Sequence, residues 1–157
     1  MFPESLATIP RNDNLSALAT IVWPQDVTAL GYRAFYNGYI PDCIIPEGVT
    51  SIGNQALAQS FGRIRLVLPS TISSIGSSGC QAIYSKYILC KAVVPPSIDN
   101  NAFHAISYLK SIFIYVPTLS IDAYKTAWSY YASRIKPFSD FIVDFPDDAE
   151  ELGLNKP

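Results

Sequence analysis

A short apolar run that ends in proline recurs along this chain: IVWP at 21–24, IIP at 44–46, RLVLP at 65–69, AVVPP at 92–96 and IFIYVP at 112–117. The first proline of each run falls at position 24, 46, 69, 95 and 117, a nearly constant step that lengthens only between the third and the fourth. A second landmark follows: DVTALGYRAF at 26–35, GVTSIGNQAL at 48–57, TISSIGSSGC at 71–80 and, shortened, SIDNNAF at 97–103. These blocks end on Phe35, Leu57, Cys80 and Phe103, and here the step stays even throughout. A unit of this length cannot bury its apolar face alone. Stacked copies share one continuous core and touch mainly their neighbours, so the period dictates a solenoid.

Each proline-terminated run is rich in Val and Ile and predicts one short strand of a parallel ladder, closed by a residue that cannot donate to it. Alternation assigns the faces. One and three places before the proline stand Trp23, Ile45, Leu68, Val94 and Val116, and Ile21, Cys43, Leu66, Ala92 and Ile114, all expected to point inward. Two places before it stand Val22, Ile44, Val67, Val93 and Tyr115, an apolar stripe expected on the outer face. Four places before it stand Thr20, Asp42, Arg65, Lys91 and Phe113, also expected outside, of which Asp42, Arg65 and Lys91 add charge beside that stripe. An exposed apolar stripe rimmed by polar groups has the character of a partner-binding surface, for another protein, a glycan or a second copy of the chain. The block after each proline predicts a second extended piece. Gly31, Gly53 and Gly76 are expected to turn the chain with positive φ, before a short helix or 3₁₀ turn.

The pattern changes after Pro117. Ile121, Tyr124, Ala127, Trp128, Tyr131 and Ile135 recur at three- and four-residue steps, which predicts a helix over 121–135 with Ser120 at its start. The expected organisation is a partial cap over 1–14, about five repeats over 15–117, a capping helix within 118–138 and a loose acidic tail over 139–157. In that tail Phe141, Val143 and Phe145 alternate as a strand would.

The repeats resemble the BspA-like leucine-rich repeats of bacterial surface proteins. Ile45, Pro46, Val49, Thr50, Ser51, Ile52 and Gly53 carry the likeness most closely, and it spans roughly residues 15–138. Leu57 and Gly79–Cys80 depart from the Ala-Phe pair of that pattern. The resemblance implies an α/β fold: a right-handed leucine-rich-repeat solenoid with short parallel strands and a C-terminal helical cap. It also implies a non-enzymatic interaction module, cell-surface or secreted, engaged in adhesion. The alternative is a structural or assembly domain of a phage tail or envelope protein, in a phage particle or the cytoplasm. The start MFPESLATIP has no positive region before Arg11 and does not read as a secretory signal: either the protein acts where it is made, which favours that alternative, or its export signal lies outside this stretch of sequence.

Other chemistries find little to stand on. With 49% hydrophobic and 15% charged residues the chain is not a disordered one, and a net charge of −2 without a basic run argues against nucleic-acid binding. No stretch is long and apolar enough for a membrane span. Cys43, Cys80 and Cys90 have no metal-ligand spacing and read as small buried apolar residues. His104 is the single histidine, and its pairing with Cys80 or Cys90 as a catalytic dyad conflicts with the core position of Cys80. The paired carboxylates Asp147–Asp148 and Glu150–Glu151 lie in the tail and not across a cleft. No phosphate loop is expected, no cofactor is implied, and Asn14-Leu15-Ser16 is read as a chance glycosylation motif. Tyr32, Tyr36, Tyr39, Tyr84, Tyr87 and Tyr108 are expected between strands, as filling of the thin side of the solenoid or as contact residues.

Overall fold

The computed structural model describes residues 8–9, 22–38, 42–59, 65–81, 85–104 and 111–155, the first two in backbone only. Thr20, Ile21, Tyr39, Tyr84, Tyr108 and the Asn14 motif lie outside the described residues.

Successive turns of the chain build two sheets, both parallel throughout. The first orders β1 (Thr8–Ile9), β2 (Ala29–Leu30), β4 (Ser51–Ile52) and β6 (Ser74–Ile75), and Ser97 bridges onward from Ser74. Of these, β2, β4 and β6 are the pieces expected after the prolines. The second orders β3 (Cys43–Ile44), β5 (Leu66–Leu68), β7 (Ile88–Cys90), β8 (Ile114–Val116) and β9 (Ile135–Pro137). Its register runs Cys43, Leu66, Ile88, Ile114, Ile135 in adjacent strands. Between the sheets lies one apolar core. Cys43, Leu66, Leu68, Ile88, Cys90, Ile114 and Val116 meet Leu30, Ile52 and Ile75 there, with Phe35, Leu57, Cys80 and Phe103. The N-terminal segment contributes a strand of the same ladder, since Thr8 pairs with Ala29.

The expected short helices after the glycines are instead linked turns. Ala34, Ala56 and Gly79 each donate their N–H to the carbonyl three residues back, at 3.2, 3.2 and 2.9 Å. Arg33, Gln55 and Ser78 sit at the third position of these turns with φ of 54°, 57° and 53°, the type II signature. The turns stack as a third ladder: Phe35 N–H donates to the Ala56 carbonyl at 2.7 Å, Leu57 to Gly79 at 2.9 Å and Cys80 to Ala102 at 3.0 Å. The positive φ expected at Gly31, Gly53 and Gly76 is therefore carried two residues later. Glycine is needed for a different reason. A Cβ on Gly76 would stand 2.7 Å from the Asn54 nitrogen and 2.9 Å from the Gly53 carbonyl carbon, so a side chain there would push the turns apart.

In the fourth turn the strand is Ile88–Cys90, not the expected Ala92–Val94. Leu68 pairs with Cys90, which puts Lys91 at the place other units give to proline. Val94, expected inward, is 76% exposed, and Val93 is 69% exposed outside the ladder. In the first turn Val22 and Trp23 are not in a strand, although Trp23 packs edge-on against Phe35 with ring centroids 5.7 Å apart.

The C-terminal end departs most from expectation. The helix predicted over 121–135 is α1 (Ile121–Ala127), then a 3₁₀ turn over Ser129–Arg134, then β9. Its apolar residues do close the stack. Trp128 Nε1 donates to the Pro96 carbonyl at 2.9 Å, Tyr124 Oη to the Ala92 carbonyl at 2.6 Å, and Tyr131 packs edge-on against Phe103 at 5.4 Å. The acidic tail is not loose. It forms α2 (Phe138–Asp144) and α3 (Pro146–Glu151), and these cover the outer face of the second sheet. Pro146 opens α3 with Asp147 and Asp148 in its first turn, where carboxylates complement the helix dipole. Gly153, at φ 72°, closes it: Gly153 N–H reaches the Glu150 carbonyl at 3.1 Å and Leu154 N–H the Ala149 carbonyl at 2.8 Å, a Schellman ending.

Candidate functional site

The outer face of the second sheet carries two columns set by the strand register. One runs Ile44, Val67, Leu89, Tyr115 and Lys136. The other, two residues earlier in each strand, runs Asp42, Arg65, Tyr87, Phe113 and Arg134. Of the residues expected to bind a partner, Ile44, Val67, Tyr115, Asp42, Arg65 and Phe113 lie in these columns. Val22 precedes the first strand of this sheet, outside the ladder. Val93 and Lys91 are absent from the columns because the fourth strand is earlier in the chain. Leu89 and Tyr87 take their places. The signal for this is the even step from Leu57 through Cys80 to Phe103, which holds the fourth turn in register where the proline count does not.

The expected exposure of the stripe is corrected in its middle. Val22 is 66% exposed and Ile44 is half-buried, but Val67 is 0% and Tyr115 2% exposed. Phe141 and Ala149 from the C-terminal helices are buried against Val67, Tyr87, Leu89 and Tyr115 as a second core, flanked by Phe138, Ile142, Phe145, Leu152 and Leu154. The Tyr87 ring lies 4.7 Å from both Phe141 and Phe145, and Tyr115 lies 5.1 Å from Phe141. A strand with apolar residues on both faces is buried on both, as in β/α layered sheets.

Polar fastenings surround this apolar centre. Tyr115 Oη donates to Asp144 Oδ2 at 2.7 Å, and Lys136 Nζ reaches the same oxygen at 3.1 Å. Tyr87 Oη donates to Asp148 Oδ2 at 2.7 Å. Arg65 forks between Asp42, at 3.0 and 2.7 Å, and Glu151, at 2.8 and 3.2 Å. Burial, then the neighbouring carboxylate, pushes both tyrosine hydroxyls well above their ordinary range, so they remain donors. The Tyr115 hydrogen bond, then Lys136, holds the Asp144 carboxyl below the usual aspartate value. Phe113 is half-buried beneath Lys136, whose ammonium sits 4.4 Å from the ring centroid. Lys91 instead approaches Glu47 at 3.9 Å, and Glu47 accepts from Ser70 N–H at 3.1 Å and Ser70 Oγ at 2.6 Å.

The remaining candidates are scattered. Cys43, Cys80 and Cys90 are buried thiols, whereas His104 is exposed. Burial pushes the Cys90 thiol up to about 11, away from nucleophilic character. Among the described residues no group of three or more His, Cys, Asp or Glu is placed to hold a metal ion, and no helix is long and apolar enough to cross a membrane. Tyr32 and Tyr36 flank the Arg33 guanidinium at 5.3 and 4.3 Å on the turn ladder. Tyr87 is not between strands in open loop but directly before β7, under the helices.

A stack of two parallel sheets with an even repeat defines a leucine-rich-repeat solenoid. The family model for the BspA type leucine rich repeat region matches six copies over residues 1–110, and the chain belongs to that family. Repeats of this kind generally serve as protein-binding modules and are usually non-catalytic. The search of curated proteins found no match.

Proposed function

We infer that this chain is a non-enzymatic interaction module that uses the outer face of its second sheet to bind a protein or glycan partner, in an adhesive role at a cell surface. The observation that carries this reading is the six-copy match to a repeat type often found on surface-associated proteins. Among the described residues the face is least covered at its N-terminal end, where half-buried Ile44 adjoins Asp42. Val93 and Val94 add an exposed apolar step beside the ladder.

A binding screen of the whole chain against host matrix proteins and glycans tests this. The expected result is a saturable partner whose affinity falls at least tenfold with Ile44→Asp while the fold persists. A partner whose binding ignores Ile44→Asp moves the site off this face, and a screen blank throughout removes the adhesive role.

A further inference from the structure

The segment seated on the outer face reports what that face selects. From Phe138 to Asn155 it contains no Lys or Arg, and it carries Asp140, Asp144, Asp147, Asp148, Glu150 and Glu151. Phe141, Phe145, Ala149 and Leu152 fall on the side turned to the sheet, at helical steps. Asp144, Asp148 and Glu151 flank them and take the fastening bonds from Tyr115, Tyr87 and Arg65. The sheet answers with donors: the Tyr87 and Tyr115 hydroxyls, the Arg65 guanidinium and the Lys136 ammonium. Charge and shape are thus matched between a donor-lined apolar face and an acidic amphipathic helical pair. α2 and α3 have 7 and 6 residues, too short to persist as isolated helices, so their order depends on the face. One backbone connection, at Pro137, ties them to the repeat stack.

We propose that the outer face of β5, β7 and β8 is a binding surface for an acidic amphipathic helical pair, held in cis by residues 138–155 and offered to a partner protein's helical pair of the same chemistry when that segment lifts away. This rests on reading the chain as an interaction module and names the partner class for its covered half. The partner segment is defined by two aromatic residues one turn apart, at the end of its first helix, and by carboxylates on both helices placed to meet Tyr115, Tyr87 and Arg65.

The probe is a synthetic peptide of residues 138–155, fluorescently labelled and titrated with the full-length chain. Wild type is expected to bind it weakly, because its own segment competes. The full-length double variant Phe141→Asp, Phe145→Asp is expected to stay folded and bind it at least tenfold tighter. A peptide carrying Asp144→Asn, Asp148→Asn and Glu151→Gln is expected to bind at least tenfold more weakly than the native peptide. A folded double variant that binds no better than wild type overturns the proposal. So does a neutralised peptide that binds equally well, or a double variant that does not fold, since the segment is then an inseparable part of the core. A wild-type dimer that exchanges this segment in sedimentation and labelling experiments assigns the face to a second copy and overturns the partner claim. None of these readouts uses the Ile44 end, so their failure is separable from failure of the partner screen.

Discussion

The repeat stack and the C-terminal helices solve the same problem, an apolar surface that must be hidden, by different physics. In the stack, neighbours share backbone hydrogen bonds along three ladders, and the buried side chains of one turn rest on those of the next. The helical segment shares no ladder with the face it covers. It is held by side chains, with rings at 4.7 and 5.1 Å in the centre and carboxylate bonds at the rim. A backbone ladder is specified by period alone and tolerates Cys80 for Phe. A side-chain interface is specified residue by residue and can release as a unit.

Substitutions on the two sides of this divide should separate sharply. The largest contrast is between Val67→Asp and Val93→Asp. Val67 is sealed between sheet and helices, so an aspartate there buries a charge and should cost at least about 3 kcal/mol. That is on the order of 10 °C in a thermal melt. Val93→Asp should stay within about 0.5 kcal/mol of wild type, because the position is exposed outside the ladder. Equal melts would mean the helices do not cover the face. Trp128→Ala acts on the end of the stack, where the ring is buried against Phe103, and should cost about 3–5 kcal/mol in denaturant unfolding. A midpoint that hardly moves would show that α1 does not cap the repeats.

Smaller effects should fall on the helical segment alone. Tyr87→Phe removes the hydroxyl from Asp148 and should cost about 1 kcal/mol, read as faster proteolysis after Pro137 without a change in the strand signal. Acid should act in the same direction. The folded Asp144 carboxyl lies below the ordinary value of 3.8, so the folded state binds fewer protons than the unfolded one there. Its contribution is fully present above that value and is lost as pH falls through the lowered one. Tyrosine fluorescence from the covered face should change in this acid window before the far-UV signal of the repeats does. A simultaneous change would show that the two regions titrate as one.

Much of this division was legible in the sequence, and the remainder was obscured for identifiable reasons. The even steps between landmarks place the core columns and the extended pieces after each proline. The prolines mislead in the fourth turn, where Lys91 stands in for proline and Pro95 draws the expected strand past Cys90, where the true one ends. The tail misleads because Phe141, Val143 and Phe145 alternate as in a strand. The four-residue step from Phe141 to Phe145 to Ala149, with Pro146 opening α3 and Gly153 closing it, is the helical signal that competes with it. The apolar stripe itself carried the remaining clue. LVL, ILC and IYV are apolar on both faces, which is what a sheet covered on both sides requires. An open stripe and a covered one look alike until the covering segment is recognised as helical.

Native-state hydrogen exchange on the full-length chain tests the division most directly. Amides of α2 and α3 are expected to exchange through an opening at least tenfold more populated than the one that exposes Leu66–Leu68 and Ile88–Cys90, with the two sets responding separately to denaturant. A single opening shared by both sets would contradict the account, because the helices would then leave the face only when the repeat stack itself unfolds.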